Sequence, residues 1–284
     1  MEQDEGILAA RRGYLSSDFR FFNLQDTQEI KFEPHFHDFY KIVLFISGNV
    51  TYFIEGTGYK LKPGDMLLIN QYAIHKPVID STVPYKRMIL WFQPGFLQKY
   101  NETACDLLTC FEWARQHKCN LLRLPLLLQQ KMQYLFAQLH DTCQDKDFGD
   151  EVLRISLLLQ VLVHLNRAAT EIPTGAALAD REYDEMICRV LAYIDANITE
   201  DLAIEKLASR FFLSKYYLMR KFKYYTGYSI HRYVLQKRLL AANQLLRAGQ
   251  PVMAACLDSG FRDYANFTRA FKKMYGCSPK KYHS

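Results

Sequence analysis

Hydrophobic and polar positions change their period partway along this chain. Between residues 19 and 92 the apolar residues fall in short runs rich in β-branched and aromatic side chains: Phe39-Tyr-Lys-Ile-Val-Leu-Phe-Ile46, Val50-Thr-Tyr-Phe-Ile54 and Met66-Leu-Leu-Ile69. Turn formers separate them at Ser47-Gly-Asn49, Glu55-Gly-Thr-Gly58 and Lys62-Pro-Gly-Asp65. Regular strands with no helical pattern between them predict a sandwich or small barrel. From about Leu121 the period becomes helical, over 124–140 and 150–167. The second stretch is apolar around more than one face, so it must be buried in a core or against a second subunit. Thr170-Glu-Ile-Pro-Thr-Gly-Ala-Ala177 reads as a linker, and helical patterns fill the rest. The expected organisation is a two-domain α+β chain: a barrel over 1–120, helices over 121–169, a linker over 170–180 and an all-α domain over 181–284.

The all-α region contains a near-repeat. Phe222-Lys223, Gly227-Tyr-Ser229 and Tyr233 recur 49 residues later as Phe271-Lys272, Gly276-Cys-Ser278 and Tyr282. Each copy is a short apolar helix, a turn and a basic helix. In the first, Thr199 and Asp201 suit the cap of a helix with a stripe of Ile204, Leu207 and Ala208, and Ser214 caps a second helix that Gly227 ends. With Leu218 and Phe222 inward, the opposite row is Tyr216, Met219, Arg220 and Lys223. In the second copy Pro251 suits the first turn of a helix bearing Val252, Ala255 and Cys256, and Asp263 caps the next. That helix buries Phe267 and Phe271 and presents Ala265, Thr268, Arg269 and Lys272, with Tyr264 at the rim. Such rows offer Arg for a guanine edge and apolar atoms for a thymine methyl. Lys215, Lys223, Lys272 and Lys273 are better placed for phosphates. A helix over about 229–248 would separate the two readers by about 30 Å at 1.5 Å per residue, close to one turn of B-DNA.

Charge supports this partner. Residues 181–284 carry 18 Lys and Arg against 9 Asp and Glu, whereas the preceding 180 residues are slightly acidic. A basic third on an acidic remainder is the footprint of a polyanion partner, here double-stranded DNA. The seven cysteines are scattered without a CxxC pair, which fits free thiols in a reducing compartment. The acidic Met1-Glu-Gln-Asp-Glu5 is unlike a signal peptide, and no run approaches 18 unbroken apolar residues. A cytoplasmic protein without a membrane span is expected.

The run Val252-xx-Ala-Cys-xxx-Gly260-Phe261-x-Asp263-xxx-Phe267-x-Arg269-x-Phe271-Lys272-Lys273-xx-Gly276-x-Ser278-Pro279-xx-Tyr282 resembles the signature of the AraC/XylS family. The match spans essentially all of 185–284. It implies a transcription regulator whose two helix-turn-helix units read adjacent major grooves, with base-reading places at Tyr216, Met219 and Arg220 and at Tyr264, Ala265, Thr268 and Arg269. One departure is Ala255-Cys256, where the family more often has a branched aliphatic followed by Ala. This is a packing variation.

In the barrel region, His35 and His37 share one side of an extended segment, and His75 follows a strand further on. Three converging histidines could hold a divalent metal, as in a cupin oxygenase, and Gly58-Tyr-Lys-Leu-Lys-Pro-Gly-Asp65 is similar to the second cupin motif. A metal-dependent cupin enzyme fused to a DNA-binding domain is therefore the alternative. Against it, Lys41 stands on the inward phase where a carboxylate would complete the ligand set, so neither metal nor cofactor is expected. The resemblance implies instead a cupin-like barrel that binds a small effector, and Trp and Tyr beside polar groups suit a sugar or related metabolite. On that reading His35, His37, Lys41 and His75 line the pocket, with Arg20, Tyr72 and Trp91 nearby, and the helices of 121–169 pair subunits into a homodimer.

Overall fold

The computed structural model describes residues 15, 17–27, 32–80, 82–101, 105–143, 147–171 and 181–283. Most of the expected linker, from residue 172 to 180, lies outside the described residues. The chain divides into two compact units, Met1–Glu182 and Tyr183–Ser284.

The first unit contains two antiparallel sheets. One orders its strands β1 (Phe19–Asp26), β7 (Tyr85–Phe92), β2 (Tyr40–Ser47), β5 (Met66–Ile69) and β8 (Leu121–Leu122); the other runs β6 (His75–Asp80), β3 (Asn49–Ile54), β4 (Thr57–Lys60) and β9 (Arg181–Glu182). Side chains alternate across a strand, and β2 uses both faces. Val43 and Phe45 pack with Tyr52, Ile54 and Tyr59 of the opposite sheet, while Ile42 and Leu44 face the helices. Burial on both faces is why β2 reads as an almost unbroken apolar run.

Helices α1 (Pro94–Leu97), α2 (Thr109–Gln116), α3 (Leu126–Asp141) and α4 (Asp150–Glu171) follow β7. Phe111, Leu135, Phe136, Leu158, Val161 and Leu165 from α2, α3 and α4 join Ile42, Leu68 and Leu90 in one core. By length and composition α4 could cross a bilayer, but its apolar residues from Leu157 to Ala169 serve this core. The expected change of period at Leu121 is early by a few residues, because Leu121 and Leu122 extend the first sheet by pairing with Leu67 and Met66. Two apolar residues in a row cannot by themselves distinguish a strand end from a helix start. Likewise Arg181 and Glu182, grouped with the helical region on sequence, pair with Tyr59 and Gly58 at a sheet edge.

The second unit consists, among the described residues, of α5 (Glu185–Ala196), α6 (Ile204–Arg210), α7 (Lys215–Thr226), α8 (Ile230–Arg247), α9 (Val252–Asp258), α10 (Tyr264–Tyr275) and α11 (Pro279–His283). The expected start of α6 at Thr199–Asp201 is corrected: Ala203 is the residue before the helix, without a side-chain cap. Asp201 instead accepts the Ala203 N–H at 3.2 Å and pairs with Lys206, which holds its carboxylate in a local turn. Pro251 likewise precedes α9 and lies outside its first turn. The caps of the two following helices form as expected. Ser214 accepts from the Tyr217 N–H and Asp263 from the Asn266 N–H, while Gly227 and Gly276 close α7 and α10 at φ 76° and 79°.

Candidate functional site

The two outward rows lie on α7 and α10. On α7, Leu218 and Phe222 are fully buried while Tyr216 is 73% and Met219 49% exposed, with Arg220 and Lys223 also exposed. On α10, Phe267 and Phe271 are buried and Tyr264, Ala265, Arg269, Lys272 and Lys273 are exposed. Thr268 departs from the expected row. It is half-buried and its Oγ1 is enclosed without a hydrogen-bond partner. Its place beside Phe267 puts it at the edge of the exposed stripe. Lys215 is exposed but donates to Glu205 Oε1 at 2.7 Å, so it approaches a phosphate only by exchanging that partner.

The repeat is not a single translation. α6 and α9 start at Ile204 and Val252, an offset of 48, whereas α7 and α10 start at Lys215 and Tyr264, an offset of 49. One extra residue in the second turn accounts for the difference. α8 joins the units through 18 residues, about 27 Å of helix. Ser229 caps it, and Arg238 on its side donates to the Ile198 and Glu200 carbonyls.

Asn266 was not anticipated. Its side-chain N–H donates to Asp263 Oδ2 at 3.1 Å, and its Oδ1 accepts from Arg269 Nη2. The capping carboxylate thus fixes the amide, and the amide fixes the guanidinium. The available signal was the spacing Asp263, Asn266, Arg269, since residues three apart meet on a helix face.

Within the first unit His35, His37, Lys41 and His75 do come together. His35 and His75 exchange backbone hydrogen bonds, and the three rings lie with centroids 4.3 to 6.5 Å apart. Lys41 Nζ donates to Tyr52 Oη at 3.1 Å and lies 3.5 Å from His75 Nε2. Register places Lys41 opposite Trp91, and Trp91 opposite Arg20, so these three form one row across β2, β7 and β1. Trp91 is flanked by Phe22 and Phe39 at 4.4 and 4.7 Å, so its faces are already packed. Arg20 is half-buried with its Nε on Ser17 Oγ, and the half-buried Tyr72 sends its N–H to the His37 carbonyl at φ 62°. Tyr52 and Arg87 were missed by sequence reading. Both lie on the inward phase of their strands, Tyr52 between Val50 and Ile54, and Arg87 between Tyr85 and Ile89. Arg87 is paired with Asp26 at 2.6 Å.

Burial sets the electrostatics of this cluster. It lowers the His35 pKa to about 4, helped by the Lys41 charge, and drives His37 and His75 well below the usual histidine range. Burial and the Arg87 charge lower Lys41 to about 7. Each imidazole holds its Nδ1 within 2.7 to 3.0 Å of a main-chain carbonyl. A carbonyl only accepts, so Nδ1 carries the proton and Nε2 is the acceptor in all three rings. Among the described residues no group of three or more His, Cys, Asp or Glu is arranged to hold a metal ion.

Two family models match the chain. One for an AraC-like ligand binding domain covers residues 23–162, and one for a helix-turn-helix domain covers 207–284. The HTH-type transcriptional activator RhaS of Escherichia fergusonii is 24% identical over 251 residues, which cover 88% of this chain and 87% of that protein. RhaS of Citrobacter koseri is 26% identical over 250 residues, or 88% and 86%. Among solved structures, an apo ToxT variant from Vibrio cholerae aligns over 94% of this chain and 97% of its own at 14% identity, with a TM-score of 0.40. With a β-sheet ligand-binding domain ahead of two helix-turn-helix units, the chain belongs to the AraC family of DNA-binding transcription regulators.

Proposed function

We propose that α7 and α10 enter successive major grooves of one duplex. Tyr216, Met219 and Arg220 read one site, and Tyr264, Ala265, Thr268 and Arg269 the other. Lys223, Lys272, Lys273 and, after release from Glu205, Lys215 bind phosphates. The observation that carries this reading is the exposure of Arg220 and Arg269 at equivalent places on two capped helices. Thr268 contributes from the edge of its row, through its methyl group.

The barrel cluster of His35, His37, Lys41 and His75, with Arg20, Tyr72 and Trp91 around it, binds the effector, a sugar or related metabolite. The chain works in the cytoplasm as a homodimer and performs no catalysis. Exposed Leu126, Leu127 and Tyr134 on α3, and Val152 and Leu153 on α4, support pairing of subunits through these helices. Effector binding shifts the arrangement of the dimer and so the occupancy of half-sites, which requires the ligand to bind one arrangement more tightly than the other. Footprinting with and without saturating effector tests this. Protection should span two stretches about one helical turn apart and change with effector. Unchanged dimerisation and unchanged protection would sink the mechanism.

A further inference from the structure

The groups inside the barrel have an uneven balance of charge and hydrogen bonds. Lys41, only 6% exposed, forms no ion pair with a carboxylate among the described residues. Asp26, whose strand β1 pairs with β7, is taken by Arg87. The other groups facing the amine are the neutral rings of His35, His37 and His75, the Tyr52 hydroxyl, and Arg87. Next to it in the cross-strand row, the buried Trp91 indole N–H has no acceptor. His37, 2% exposed, leaves its Nε2 lone pair without a donor. Leaving a buried donor or acceptor unpaired is costly, and leaving a buried charge uncompensated costs more. This cluster therefore leaves unmatched an amine and an N–H that want an anionic oxygen, and a nitrogen that wants an O–H.

One kind of molecule answers all three. We propose that the effector is a small hydroxylated carboxylate. Its carboxylate is held by Lys41 Nζ and the Trp91 N–H, and one of its hydroxyls donates to His37 Nε2. The inference rests on the cluster being the effector site and names the chemistry that site selects. A neutral sugar would satisfy His37 but leave Lys41 without a counter-charge. A simple carboxylate such as acetate would satisfy Lys41 but not His37.

The test is thermal shift and titration calorimetry on the full chain with D-gluconate, D-galacturonate and L-lactate, beside D-glucose, D-galactose and acetate. At least one hydroxy acid should raise Tm where its neutral counterpart and acetate do not. Its affinity should weaken about tenfold per pH unit above about 7, as the amine loses the proton that binding requires. That profile is read on the unaltered protein. Lys41→Met, of similar length and without charge, should abolish binding while keeping the fold by circular dichroism. The carboxylate assignment is overturned if no acid stabilises the chain, if affinity is flat between pH 7 and 9, or if a neutral sugar binds better. A neutral sugar whose binding is lost in Lys41→Met would overturn the carboxylate while leaving the site in place. An acid that binds Lys41→Met undiminished would overturn the site itself.

Discussion

The two helix-turn-helix units share a backbone plan and differ in how firmly it is held. In the second unit Gly260 turns the chain at φ 90°, and a Cβ there would lie 2.5 Å from the Ile198 carbonyl oxygen and 2.8 Å from Thr199 Cα. At the matching turn of the first unit stands Phe212, at φ 54° with its side chain 95% exposed. The reading arginines differ as well. Arg269 is tethered through Asn266 to the cap Asp263, whereas Tyr217 occupies the position corresponding to Asn266. Among the described residues no hydrogen bond or ion pair holds Arg220. Repetition has kept the frame of the motif while the restraint on its side chains has diverged.

The largest effect should come from Gly260→Ala. It combines an unfavourable φ with a collision against backbone, and should lower stability by about 3 kcal/mol or more in urea unfolding. A loss below about 1 kcal/mol would show that the chain at 198–199 yields. Next, Arg220→Ala and Arg269→Ala should each remove about 1–3 kcal/mol of discrimination, at base pairs about one helical turn apart. Equal loss of specific and non-specific binding by Arg269→Ala would deny it a base. Asn266→Ala should cost about 1 kcal/mol at the base that Arg269 reads and nothing at the base of Arg220, because it removes only orientation. Losses at both bases would mean that the substitution acts through folding. The smallest effect should be a gain: Phe212→Gly relieves a left-handed residue that buries almost nothing, and should raise stability by less than about 1 kcal/mol. Destabilisation would show that the Phe212 ring packs in solution.

Legibility followed the range of the interactions. The outward row of α7 and most of that of α10 were readable, since phase depends only on spacing along one helix. Thr268 sits deeper than its phase suggests, because spacing cannot say how far neighbouring side chains close over a flank. In the barrel, alternation placed Lys41 inward and so opposed a metal set. It gave no warning that Trp91 would lie opposite Lys41, because register joins residues fifty positions apart. Asp201 looked like a cap on composition, and its own turn claimed it first. Leu121-Leu122 and Arg181-Glu182 are two-residue strands, too short to carry any period, and only the edges they complete define them.

The shortest of these edges depends on one small residue. While Arg181 and Glu182 stay paired with Tyr59 and Gly58, only Tyr183 and Asp184 lie between that strand and α5. Gly58 is what lets the strand sit so close: a Cβ there would come within 2.9 Å of the Phe53 ring and 3.2 Å of the Glu182 carbonyl oxygen. A short sheet edge, admitted by the absence of one methyl group, thus closes beside the Phe53 ring.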